Sequence, residues 1–396
     1  MRTDTQLADG RTLIYYDLPG VHRDPPPDTR ELPPQPQPGQ ARFDPRTGEW
    51  VIVATHRQAR IFLPSADHCP LCPSTPENQT EIPAAAYAVA VFANRFPALT
   101  GQGDGPIEPG PALVTAVPAV GRCEVICFDP RHDVAFVDLT VDQARLVIEA
   151  WADRTAELSG RPDVVQVFCF ENRGEEIGVT QRHPHGQIYA FPVVVPRTAR
   201  MIDRAVAYRR AHGRNLFEDL VAMELADGAR VVVTNEDWVA FVPFAAKWPY
   251  EVHLYPRVRV PSLPSLGPDE RDSLAEIYLE VLRRFNRLFP TPTPYVAAWH
   301  QAPRPDVPGV AELALHLELF SNRRSATALK YLAGTEAGMD MFSNDVVPEE
   351  AARRLRDRDH PVSSSHVIEA VRLCEALAVL RPDFRMMVHG RYAVKG

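Results

Sequence analysis

A chain of 396 residues exceeds what one hydrophobic core usually supports, so its length predicts two or three domains. Hydrophobic residues at 45% and charged residues at 24% are ordinary for a water-soluble globular protein, and a formal charge of −8 excludes a general nucleic-acid binder, which needs a basic surface to displace counterions. No apolar run approaches the roughly 20 residues that span a bilayer, MRTDTQLADGR lacks the apolar core of a signal peptide, and six cysteines are too few for a disulfide scaffold; together these predict a cytoplasmic protein without a membrane partner.

Residues 1–41 are rich in proline (Pro25, Pro26, Pro27, Pro33, Pro34, Pro36, Pro38), which predicts an extended or partly disordered arm with no chemistry of its own. The first globular pattern follows at 42–60, where turn residues Pro45, Thr47 and Gly48 precede a short strand at 50–53. Arg57 and Arg60 come next; such a pair can neutralise a diphosphate, or simply sit in solvent. Cys69 and Cys72 form a CPLC turn that can bite one metal ion, hold a redox pair or leave two free thiols. Tetrahedral zinc would need two further ligands, and His132 and His183 are available, with the adjacent His68 as a rival. Such a closed site would be structural.

An apolar run at 88–99 and strands at 123–128 and 164–170 continue the chain. Between the two strands a helix is marked by Thr140 and Gln143 at capping-box spacing and by the apolar face Leu146, Val147, Ala150 and Trp151. The segment FENRGEEIGVTQ, 170–181, offers Asn172, Gly174, Gly178 and Thr180 as a phosphate cradle, although a glycine-containing hairpin reads the same way.

QRHPHGQIYAF, 181–191, then places His183, His185 and Gln187 at every second position of a strand-like run, so their side chains leave from one face. Proline at 184 stiffens the chain, and glycine at 186 would let a group such as a phosphate approach the backbone. A His-x-His pair can ligate a metal or be satisfied by neighbours; it can also supply a neutral imidazole that attacks phosphorus. Gln187 favours the last reading, because an amide cannot protonate a leaving group but can donate to a charged phosphoryl oxygen.

The second half shows strands at 238–244 and 250–256, an amphipathic helix from Pro268 to Phe289, and strands at 295–300 and 312–320, the last ending in His316 and Glu318. Strand, strand, helix, strand, strand thus occurs twice. The pattern predicts an α+β protein built by tandem duplication, with largely antiparallel sheets in a domain at 42–196 and another at 197–396. Helices at 348–358 and 365–380 close the chain.

HPHGQIY, together with CPLC, NRFPAL, FDPRH, FENRG, AWHQAP and RSATALKYLAG, resembles the galactose-1-phosphate uridylyltransferase family, a branch of the histidine triad superfamily, over about residues 42–355. The resemblance implies two histidine-triad-like domains with flanking helices. It also implies a ping-pong exchange, in which UDP-glucose uridylylates a histidine and releases glucose 1-phosphate, and galactose 1-phosphate then takes the UMP to give UDP-galactose. In those terms His185 is the nucleophile and Gln187 steadies the uridylyl phosphate. Asn172, Gly178 and Thr180 contact phosphate, Asn94 lies near the uridine, and Lys330, Tyr331 and Glu336 hold the hexose and its phosphate. Arg57 and Arg60 reach the nucleotide sugar of a neighbouring subunit in a homodimer, and Cys69, Cys72, His132 and His183 form a structural zinc site.

Two departures stand out. Arg95 replaces an acidic residue found in some members beside that asparagine. Some members also hold a second metal through three histidines and a glutamate; here His300 and His316 match, but Glu318 replaces the third histidine and Met201 or Ile202 falls where the carboxylate is expected, so a tight second site is not expected. The competing readings are a nucleotide-sugar phosphorylase or adenylyltransferase of the same fold, and a catalytically silent nucleotide-binding zinc protein.

Overall fold

The computed structural model describes residues 1–59 and 64–357, so Arg60 and the helix expected at 365–380 lie outside the described residues. In chain order the N-terminal half contains β1 (Arg2–Gln6), β2 (Thr12–Tyr16), β3 (Gln40–Asp44), β4 (Glu49–Val53), β5 (Val89–Ala93), β6 (Ala116–Pro118), β7 (Arg122–Cys127), α1 (Val141–Ser159), β8 (Gln166–Arg173) and β9 (His185–Phe191). The C-terminal half adds α2 (Pro196–His212), α3 (Leu216–Asp227), β10 (Val231–Thr234), β11 (Trp238–Phe241), β12 (Tyr250–Pro256), α4 (Pro268–Arg287), β13 (Tyr295–His300), β14 (His316–Ser321), α5 (Gly334–Met339) and α6 (Pro348–Arg356).

Eleven strands form one sheet in the order β1-β2-β5-β7-β9-β8-β13-β14-β12-β11-β10, and β4-β3-β6 form a small second sheet. The order β5-β7-β9-β8 in the first half is mirrored by β11-β12-β14-β13 in the second, which is the duplication anticipated from the strand pattern. The halves are not separate sheets, because β8 and β13 pair antiparallel from Arg173↔Tyr295 to Cys169↔Trp299. The expected boundary after residue 196 therefore falls at the entrance to α2, where Pro196 takes the first helical position, and divides neither the sheet nor the core.

Both long helices pack on the same face of this sheet. In α1 the Thr140 side chain accepts from the Gln143 amide, and the Gln143 carboxamide accepts from the Thr140 amide, so the capping box stops the helix from fraying. In α4 Glu270 accepts from the Gly267 amide at 2.7 Å in the same manner. Trp151 of α1 and Tyr278 of α4 meet Trp299 of β13 with ring centroids 6.2 and 6.0 Å away, so one core spans both halves. Within that core Glu171 of β8 accepts from the Tyr295 hydroxyl at 3.0 Å, and burial pushes its carboxyl up to about 7.

The opposite face carries the polar and aromatic side chains of the central strands. A row of rings crosses it: Phe170, Phe168, His300, His316, Tyr255 and Phe241, with successive centroids 5.0, 6.0, 4.9, 4.6 and 5.6 Å apart. Helices α2 and α3 cover the C-terminal end of this face. Among the described residues no helix is long and apolar enough to cross a membrane.

The lead corrects the sequence expectation of an extended arm. Residues 2–16 form a hairpin, and β2 pairs with β5 through Leu13↔Phe92 to Tyr16↔Val89, so the lead is an edge of the main sheet. The proline-rich stretch only begins after that hairpin, and it is pinned by ion pairs such as Arg23–Asp17 at 2.5 Å.

Candidate functional site

Alternation along β9 divides its residues between two environments. Gly186, Ile188 and Ala190 are buried towards the helices, while His185, Gln187 and Tyr189 are half-buried on the open face. A Cβ at 186 would stand 2.8 Å from Phe128 Cζ and 2.9 Å from the Phe170 carbonyl. Packing against the core face therefore requires this glycine, and the expected close approach of a phosphate is not its reason.

His185 Nδ1 lies 2.7 Å from the His183 carbonyl, which can only accept; Nδ1 therefore carries the proton and Nε2 keeps its lone pair. Burial pushes the ring's pKa down, and the backbone hydrogen bond opposes this in part, so the imidazole is neutral near pH 7. The cleft in front of it is walled by Asn94, Arg95, Thr180, Gln181 and Gln187. Gln187 Oε1 accepts from the Tyr189 hydroxyl at 3.3 Å, and Arg57 Nη1 donates to that hydroxyl at 3.3 Å. The carbonyl end of the amide is thus occupied and its NH2 is the end left for a ligand. Tyr189 was not singled out from sequence, although the same two-residue spacing that marks His185 and Gln187 would have reached it.

Thr180 joins the cleft wall, and Asn172 lies two residues beyond Phe170 on β8, the partner of Gln187. Gly178 takes φ +85° at the end of a 3-10 turn, and Gly174 takes φ +98° with its α-carbon against Pro294, where a Cβ would approach to 2.7 Å. The 174–181 loop is also tied to the second half by Glu176, which accepts from Arg323 at 2.6 Å. By contrast, Lys330, Tyr331 and Glu336 do not wall this cleft. Lys330 is buried and donates to the carbonyls of Lys247 and Ser343, Glu336 caps the Ala333 amide at 3.3 Å, and Tyr331 is 71% exposed.

Cys69, Cys72, His132 and His183 bring one ligand atom each within 4.8 Å of one another. Cys72 Sγ is 3.5 Å from His132 Nδ1 and 3.4 Å from His183 Nδ1, close to the edge of about 3.5 Å expected for a tetrahedron with sulfur and nitrogen bonds of about 2.3 and 2.0 Å. Burial, with Cys69 alongside, pushes the Cys72 thiol up to about 12, so two thiolates here require a cation between them. Burial with His185 and His132 nearby pushes His183 down to about 3, leaving the neutral imidazole a metal requires. His183 Nε2 donates to the Tyr87 hydroxyl at 2.8 Å, which in turn donates to the Asp129 carbonyl at 2.9 Å, a partner chain that orients a ligating ring. The four residues fit a metal ion, and the rival His68 is exposed and paired with Ser65 instead.

The second polar cluster does not fit one in the same way. His300, His316 and Glu318 converge, as do Glu251, His253 and Glu318, but Arg197 of α2 makes a hydrogen-bonded ion pair with Glu318. The shared carboxylate already has its cation. His316 repeats the backbone device of His185, with Nδ1 2.9 Å from the carbonyl of Ala314, two residues earlier. This register equates His316 with His185, and Glu318 with Gln187.

Fold and site together define a class: a duplicated α+β protein that presents one neutral histidine, Nε2 free, to a cleft lined by amide and guanidinium donors beside a Cys2His2 metal-ligand set. Family models described as galactose-1-phosphate uridyl transferase, N-terminal and C-terminal domains, match residues 35–195 and 201–371. A Streptomyces lividans galactose-1-phosphate uridylyltransferase is 46% identical over 365 residues, 90% of this chain and 97% of the relative. A solved uridylyltransferase structure superposes with a TM-score of 0.69 at 34% identity, covering 80% of this chain and 97% of the other. An ADP-glucose phosphorylase from Arabidopsis thaliana reaches a TM-score of 0.61 at 20% identity, covering 82% and 99%, which is a likeness of fold alone. This chain belongs to the galactose-1-phosphate uridylyltransferase family.

Proposed function

We propose that the protein exchanges UMP between UDP-glucose and galactose 1-phosphate through a uridylyl-histidine. His185 Nε2 attacks the α-phosphorus of UDP-glucose, forming the N–P bond as the bond to the bridging oxygen breaks and glucose 1-phosphate departs. A phosphate oxygen of galactose 1-phosphate then attacks the same phosphorus, releasing UDP-galactose and restoring the neutral ring. Both leaving groups depart without needing a proton, the first as a phosphate and the second as imidazole, so an amide at Gln187 suffices where an acid would be superfluous. Its NH2 donates to the non-bridging oxygens, and Asn172, Gly178 and Thr180 supply further phosphate contacts. Asn94 lies towards the uridine.

Cys69, Cys72, His132 and His183 would hold structural zinc. When bound it fixes His183, whose carbonyl in turn sets the tautomer and aim of His185. The free thiols of this set suit a reducing compartment, the cytoplasm. Arg57, Arg60, Lys330, Tyr331 and Glu336 act in a homodimer, the 330–336 segment serving the hexose end of the partner's cleft. Exposed Tyr331 and Leu332 on this segment, with Met339 and Met341 just after it, favour such an interface.

The observation that carries the proposal is the pair of polar contacts around the triplet: His185 Nδ1 on the His183 carbonyl, and Gln187 Oε1 on Tyr189. The test is UDP-glucose labelled in the uridylyl phosphate. Wild-type protein becomes labelled and His185→Ala does not; a labelled His185→Ala protein would remove the assignment. Products from UDP-glucose plus galactose 1-phosphate, compared with ADP-glucose plus inorganic phosphate, separate this function from a phosphorylase of the same fold.

A further inference from the structure

The N-terminal lead meets the cleft at one carboxylate. Glu81 is 5% exposed and walls the cleft together with Arg95 and His185. Three guanidinium groups converge on it: Arg11 at 2.6 Å, Arg30 at 3.3 Å and Arg95 at 3.7 Å. The three are not equivalent. Arg11, between β1 and β2, is fully committed, since it also pairs with Asp9 at 2.6 Å and donates to the Ala93 carbonyl at 2.8 Å. Arg30 pairs bidentately with Asp28, at 2.9 Å for each bond. Arg95 has only the long contact to Glu81 and a position 5.9 Å over the Phe96 ring, makes no side-chain hydrogen bond among the described residues, and keeps 36% of its side chain exposed. Its donors are therefore unspent, and they stand in the wall of the cleft that contains the histidine.

Arg11 also grips the backbone immediately before Asn94 and Arg95, so the hairpin at the chain's start fixes where that wall stands. Glu81 is too enclosed by cations to take a ligand, yet it can aim the one cation that is loose. We infer that Arg95 is a substrate-binding residue that takes a phosphate oxygen of the nucleotide sugar, and that Glu81, held by Arg11 and Arg30 of the lead, is its positioning residue. The inference rests on the transferase reading of the His185 cleft, and it gives the lead, which lies almost wholly outside the matched span beginning at residue 35, a part in substrate binding.

Steady-state kinetics with UDP-glucose as the varied substrate test it. Arg95→Gln removes a charge-assisted contact and is expected to raise KM by about tenfold to a hundredfold, with a smaller effect on kcat. Glu81→Gln keeps the shape, frees Arg95 from its aim, and is expected to raise KM several-fold. In the Arg95→Gln background the same change should then add little, because its route to substrate through Arg95 has gone. An unchanged KM in Arg95→Gln, or fully additive effects of the two substitutions, would overturn the inference. Labelling of His185 at saturating UDP-glucose reports that each variant is folded. Wild-type protein that transfers no uridylyl group would instead count against the transferase reading itself.

Discussion

Strands β9 and β14 occupy equivalent places in the two halves, and each lines a cleft with different neighbours. Each presents a histidine whose Nδ1 is tied to the carbonyl two residues earlier, at 2.7 Å for His185 and 2.9 Å for His316. The difference lies in the flanking residues. Before the histidine, the first half has His183, part of a metal-ligand set, and the second has Ala314. After it, the first has the amide Gln187 and the second the carboxylate Glu318, neutralised by Arg197. His185 Nε2 has no side-chain partner among the described residues, whereas His316 Nε2 stands 3.6 Å from a Glu318 oxygen. The amide next on the same face of β9 can donate to an anion, which the carboxylate next on β14 cannot.

Five changes break or sharpen this comparison. His185→Ala should lower uridylyl transfer by about four orders of magnitude or more while the protein stays folded, measured by product formation and far-ultraviolet circular dichroism. Gln187→Glu gives the first half the third residue of the second, and should lower kcat by about 10²- to 10³-fold with His185 intact; a variant of near wild-type rate would show that the donor is dispensable. Cys72→Ser should remove about one metal ion per chain by elemental analysis and reduce activity about 10- to 100-fold, because His183 loses the anchor that holds its carbonyl under His185.

The remaining two act on stability. Glu171 lies at the seam of the halves with its folded pKa near 7 against 4.5 unfolded. Between those values the folded state binds the extra proton, so stability is greatest below about pH 4.5 for this group and falls as pH rises through 7, by up to about 3 kcal/mol. Glu171→Gln should flatten that dependence in urea titrations run across the range. Arg197→Ala should cost about 1 kcal/mol, because the lost arginine is partly exposed and Glu318 keeps His300 and His316 within 3.6 Å. Adding Glu318→Gln should recover most of the loss with uridylyl transfer unchanged, whereas a double variant as unstable as the single one would deny the pairing.

Much of this was legible in the sequence because the signals are local. The period of two in QRHPHGQIYAF puts His185 and Gln187 on one face of β9, and Thr140 with Gln143 marks the start of α1 to the residue. The metal-ligand set was also readable, since few residue types suit it and CPLC fixes two of the four. What stayed hidden depends on partners distant in sequence. TLIYY reads as a strand only once β5 lies beside it, and the prolines that follow give the lead the composition of an extended arm. The role of Gly186 depends on Phe128, and Arg197 meets Glu318 across 121 residues. Helices α2 and α3 are different: Pro196, Gly213, Asn215 and Gly228 are serviceable start and stop signals for them in the sequence itself.

The antiparallel seam between β8 and β13 has a mechanical meaning. Two lobes joined by a linker can open and shut around a ligand, but here a backbone ladder and a shared helical layer run straight through the middle, with a row of rings lying across it. The described residues share one continuous sheet and one core across the seam. Control over what enters then falls to the rim: the 174–181 loop and the wall carrying Asn94 and Arg95.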